Sequence, residues 1–235
     1  MISDFSTIFM AMNFLSHFYF ERKNQDQNMV IGTVLPDLVK NAHKDWNLYP
    51  QKCEEFFIDD EHLNSLLKGW KRHLEVDLLF HSSNFFIEET AKLKQLLLPI
   101  LNDSPVRPSF LAHIGVELVL DHLLVINGKI DIVSFYDKLN KVDDKLLNDF
   151  LIKAGSGDTA KFITFLNNFK SSRYLLSYQK IENISYALQR ICMRLWAHPF
   201  DEHTRNLLTE QLDIYKISLE KNYFKIFNEI ERKLY

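Results

Sequence analysis

Glycine and proline are scarce in this chain: six of each in 235 residues. That is about 5% together, where ordinary usage gives about 12%. The shortage argues against folds that turn often, such as β-sandwiches, barrels and glycine-rich nucleotide-binding α/β folds. Cysteine is also rare. Cys53 and Cys192 are the only two, far apart and outside any CxxC pair. They read as free thiols of a reducing cytoplasm, not as a disulfide or a zinc knuckle. Charge of one sign is missing as well: 28 Lys+Arg against 31 Asp+Glu leave a net −3, without the basic footprint of a nucleic-acid binder. No run approaches 18 consecutive apolar residues, so no membrane span is expected. The first residues, Met-Ile-Ser-Asp-Phe, lack the basic start of a secretory signal. The expected location is the cytoplasm.

What is present is apolar and helical in period. Hydrophobic residues make up 46% of the chain, enough for a sizeable core. Leu63, Leu67, Trp70, Leu74 and Leu78 recur at three- and four-residue steps, the spacing of one helix face. Leu208, Leu212, Tyr215, Leu219, Ile226 and Ile230 do the same and predict one long C-terminal helix. Turn signals fall at Pro50, Pro99 to Pro108, Asn127-Gly128, Gly155 to Gly157 and Ala197 to Pro199. The reading is an all-α, single-domain multi-helix bundle of seven to ten helices over residues 12–235, with residues 1–11 as an extension. Gly155-Ser156-Gly157 lacks the spacing of a P-loop or dinucleotide fingerprint, and no Gly-x-Ser-x-Gly elbow occurs.

Two predicted helices carry polar groups within apolar surroundings. His73, Asp77 and His81 are four apart, as are His113, Glu117 and Asp121. At about 100° per residue each trio spans an arc of about 80°. His122 borders the second face. Apolar neighbours such as Val116, Leu118, Val119, Leu120, Leu123 and Leu124 imply that this helix is buried nearly all round. Buried carboxylates are costly unless paired or coordinating. One reading is a polar seam of carboxylates bonded to His, Lys71 or Arg72. The other is a site for Mn, Fe, Zn or Mg-class ions, which activate water and bind phosphoryl oxygens. His17, in an apolar segment, and Asp37, directly after Pro36, are further candidates, each also explicable as a core or capping residue.

Four segments in order, Met12-Asn-Phe-Leu-Ser-His17, Gly32-Thr-Val-Leu-Pro-Asp37, Gly69-Trp-Lys-Arg-His-Leu-Glu-Val-Asp77 and Glu117-Leu-Val-Leu-Asp-His122, resemble the acyl carrier protein phosphodiesterase family over roughly residues 12–125. The resemblance implies an all-helical fold distantly similar to the HD phosphohydrolases. It implies hydrolysis of the phosphodiester joining 4′-phosphopantetheine to a carrier-protein serine, with a divalent ion, typically Mn or Mg, with Fe or Zn as further candidates. Family motif positions fall on His17, Asp37, His73, Asp77, Glu117, Asp121 and His122. On this reading His17, Asp37, His73, Asp77 and Asp121 hold one or two ions. Glu117 or His122 orients or deprotonates water, and Lys40, Lys71 or Arg72 meets the phosphate. An acidic carrier protein as partner needs a local basic patch, which the net charge does not supply.

The chain departs from the family pattern at four places. Leu74 stands for an Arg, His81 for an acid, Glu117 for an Asp and Thr33 for an Asn. Two other readings therefore stay open. One is a non-catalytic helical binding protein of the same ancestry. The other, on the Gly-Thr-Val-Leu-Pro-Asp and histidine pattern, is a zinc-dependent phospholipase C-like phosphoesterase.

Overall fold

A computed structural model describes residues 13–235; the expected extension, residues 1–11, lies outside them. Among the described residues there are twelve α-helices, a few short 3-10 turns and no strand. The all-α reading therefore holds. The count exceeds the seven to ten expected because several helix ends carry neither Gly nor Pro.

The chain gathers into two compact units, each assembled from two stretches of sequence. The first comprises residues up to His73 together with Val133–Arg173. Its helices are α1 (Phe14–Glu21), α2 (Gln27–Gly32), α3 (Leu35–Ala42), the opening turns of α4 (Glu61–His81), α7 (Ile132–Asn140), α8 (Asp144–Lys153) and α9 (Ala160–Ser172). Local chemistry starts several of these. Asp26 caps α2, accepting from the backbone N–H groups of Asn28 and Met29, and it also accepts from the Ser65 hydroxyl at 2.5 Å. Asp60 accepts from the first N–H groups of α4, and Asp143 caps α8. Aromatic rings fill the core: Phe14 against Phe169, Phe18 against Phe135, and Phe57 and Trp70 against Phe150.

The second unit comprises Leu74–Ile132 and Tyr174–Tyr235. It holds the end of α4, α5 (Asn84–Leu97), α6 (Pro108–Ile126), α10 (Ile181–Cys192), α11 (Glu202–Leu219) and α12 (Phe224–Leu234). α6 begins on Pro108, where the missing N–H costs nothing, and ends before Gly128, whose φ of 61° favours glycine. It is long and apolar enough to cross a membrane by length and composition, yet 72% of it is buried within the protein. α5, α10 and α11 cover it. α6 is the core helix of this unit.

Two expectations need correction. The long C-terminal helix is two helices, separated around Glu220–Tyr223. Leu219 and Ile226 lie seven residues apart, two turns, so the apolar period continues in phase across the break and conceals it. The apolar stripe of α4 also fails at its end. Leu63, Leu67 and Trp70 are buried, but Leu74 is 39% exposed and Leu78 69%. From there His73, Val76 and Phe80 turn inward instead. The division between the two units falls at this point of the helix.

Candidate functional site

Within the first unit three motif residues come together. α1 is buried along its whole length, so His17 is enclosed. Its ring stacks on that of His73, with centroids 3.8 Å apart and planes 20° from parallel. His73 Nδ1 lies 2.8 Å from the Thr33 carbonyl oxygen. A carbonyl can only accept, so Nδ1 carries a proton, and in the neutral ring Nε2 is then the nitrogen with the lone pair. That Nε2 sits 3.9 Å from Asp37 Oδ1. The separation is too long for a hydrogen bond but within the span of two ligands on one ion, with bonds of about 2.0–2.2 Å each. Asp37 is buried in the first turn of α3, where the helix dipole favours an anion. A histidine whose other nitrogen is fixed by a backbone carbonyl is the arrangement metal-ligating imidazoles use. These residues fit a divalent ion. Asp77, half-buried, follows His73 by one turn of the same helix.

Two glycines explain how Thr33 reaches His73. At Gly32 an added Cβ would stand 2.4 Å from the Leu66 carbonyl oxygen. At Gly69 it would stand 2.2 Å from the Met29 carbonyl oxygen. α2 and α4 therefore touch backbone to backbone, and both motif glycines serve that crossing.

The three cations nominated for phosphate each have a protein partner. Arg72 Nε pairs with Glu21 at 3.2 Å, Lys71 with Glu54 at 2.8 Å, and Lys40 donates to Asn47 Oδ1 at 2.7 Å. Burial lowers the Lys40 pKa, against the opposing pull of Asp45. Glu21 is a buried carboxylate that sequence reasoning missed. Its signal was available: it follows His17 by four residues, as Asp77 follows His73.

In the second unit α6 carries Glu117, Asp121 and His122, all buried. Glu117 Oε1 lies 3.0 Å from His81 Nε2 and 3.2 Å from His113 Nε2. Burial pushes the Glu117 carboxyl up, but hydrogen bonds from His113 and His81, with their charge, hold it below its ordinary value. His122 repeats the fixed tautomer: Nδ1 donates to the Tyr178 carbonyl at 2.6 Å, and buried Nε2 has no hydrogen-bond partner. Burial, ahead of the opposing Tyr178 bond, lowers its pKa and keeps it neutral. His81 and His113 lay on the predicted stripes but were not nominated for the site; their meeting on one oxygen is what the structure adds.

Fold and side chains together define an all-helical protein whose buried imidazoles and carboxylates are of the kinds that ligate divalent ions, with no glycine-built phosphate cradle among the described residues. A family model described as acyl carrier protein phosphodiesterase matches residues 12–230. The chain belongs to that family. The match runs well past residue 125, where the recognisable motifs end, and takes in the C-terminal helices. Comparison with curated proteins and with solved structures gave no match in either case.

Proposed function

We propose that the protein is a metal-dependent phosphodiesterase that releases 4′-phosphopantetheine from a carrier-protein serine or cleaves a closely related phosphodiester. One observation carries the reading: His73, held by the Thr33 carbonyl, turns its Nε2 toward the buried Asp37 carboxylate while stacked on His17. All three are family motif positions. In this reading His17, Asp37 and His73 hold a divalent ion, Mn or Mg. The ion, when bound, supplies charge to the phosphoryl oxygens and lowers the pKa of water.

The chain's own residues do the rest. His122, neutral and with Nε2 unbonded, has the state required of a base that takes a proton from water. The water oxygen bonds to phosphorus, the phosphorus–serine oxygen bond breaks, and the serine oxygen takes a proton. The two free cysteines suit a cytoplasmic location.

Incubation of the purified chain with holo carrier protein and Mn2+ or Mg2+ tests this by mass spectrometry. Conversion of holo to apo carrier protein is expected, and is expected to vanish in His73→Ala and Asp37→Asn. An intact holo protein under all metal conditions overturns the carrier-protein reading.

A second reading is favoured by one specific feature. Leu74 stands where the family has Arg, and Lys40, Lys71 and Arg72 are all engaged elsewhere. A non-catalytic member that binds a carrier protein without cleaving it needs no phosphate cation. Tight binding of holo carrier protein with no turnover identifies that case.

A further inference from the structure

We propose that His81, His113 and Glu117 form a separate divalent transition-metal site within the second unit, with two imidazoles and one carboxylate as ligands and an open fourth position. The inference is independent of the phosphodiesterase reading, which uses the His17–His73 cluster of the first unit. The ligand atoms of the three residues lie within 4.8 Å of one another. They arrive from two helices: His81 ends α4, while His113 and Glu117 are one turn apart on α6.

Their geometry is a poor use of a carboxylate as a mere hydrogen-bond acceptor. Glu117 is completely buried, and both Nε2 atoms converge on Oε1, at 3.0 and 3.2 Å. The other oxygen, Oε2, is buried with no hydrogen-bond partner. A carboxylate offers about four acceptor positions over its two oxygens, so two donors gain by dividing between them. Donor atoms held this close together are what a single ion requires of its ligands. In a tetrahedral set with bonds near 2.0–2.1 Å, donor atoms stand about 3.3 Å apart. The observed separations are close to that already.

The surroundings match an ion with one open face. The Phe86 ring meets both imidazoles edge-on, with centroids 4.9 Å away in each case, and shields one side. The His81 and His113 side chains are 17% and 28% exposed, so solvent and an incoming ion reach the other. Two histidines and a carboxylate form a borderline donor set that selects zinc-class ions over Mg or Ca.

The test uses the full chain, stripped with chelator and titrated with Co2+ and then Zn2+. Co2+ bound by two imidazoles and a carboxylate gives visible d–d absorption, and Zn2+ displaces it. The His113→Gln variant, at a partly exposed position, is expected to weaken this binding by more than about 100-fold, since a lost ligand costs more than a lost outer-shell partner. His17→Ala is expected to leave it in place. If the absorption survives His113→Gln, or disappears only with His17→Ala, the proposal is overturned. Should His113→Gln fail to fold, zinc anomalous scattering from wild-type crystals decides: a peak among the three ligand atoms supports the site, and none there overturns it. Failure of the phosphodiesterase reading shows instead as intact holo carrier protein, and leaves these outcomes unchanged.

Discussion

Gly32 and Gly69 meet so closely that a Cβ on Gly69 would lie 2.6 Å from the Gly32 Cα. This crossing of α2 on α4 sets the position of the Thr33 carbonyl, which in turn fixes the tautomer of His73.

Gly69→Ala is therefore expected to force the two backbones apart and destabilise the protein by about 1–3 kcal/mol or more, the cost of overpacking. Thermal melting measures the loss. Gly157→Ala, where a Cβ meets nothing within 4 Å, is the control and is expected to leave the melting temperature nearly unchanged.

Ion binding at the His17–Asp37–His73 cluster predicts that Mn2+ raises the melting temperature and chelator lowers it. At 100 times the dissociation constant the gain is about 2.7 kcal/mol. His17→Ala is expected to lose part of this response. Calorimetry with and without Mn2+ checks it, and melting curves indifferent to both Mn2+ and chelator contradict ion binding.

Leu74 is partly exposed on α4 immediately after His73. Replacing it by Arg restores the cation of the family pattern at little cost in stability, since surface changes stay within about 0.5 kcal/mol. One charge-assisted phosphate contact corresponds to about a tenfold rise in kcat/KM. Steady-state assays on the phosphodiester substrate measure it. An unchanged kcat/KM means that the side chain does not reach the substrate.

Alkaline pH is expected to destabilise the fold through two buried groups. Burial raises the Cys192 thiol from 9.0 to about 12. Burial, and after it the negative charge of Glu89, raises the Tyr215 phenol. Both native groups keep their protons where the unfolded groups have lost them. Their contribution is complete below about pH 9 and is lost as pH rises toward 12, with a limiting slope of about 1.4 kcal/mol per pH unit for each group. Denaturant titrations between pH 8 and 11 measure this slope. Cys192→Ala is expected to lower the baseline but flatten the decline.

Much of this was readable along the chain because helix pitch is local. The pairing of His73 with Asp77, and of Glu117 with Asp121, follows from four-residue spacing alone. So does the burial of α6, whose sequence is apolar on every side. The same logic reached too far at Leu74 and Leu78. An apolar stripe marks a face that suits burial, but the neighbours decide which face is used. On α4 those neighbours change after His73.

The sequence by itself determined the helical class, through scarce Gly and Pro and a 3.6-residue period, and it marked the helices that carry imidazoles and carboxylates. Only tertiary structure decided which of those groups meet. His81 and His113 share the Glu117 oxygen, Thr33 orients His73, and Arg72 belongs to Glu21. Spacing within a helix is set by bonds a few residues long. Contact between helices depends on where a side chain is missing, as at Gly32 and Gly69, and on how each core closes around it.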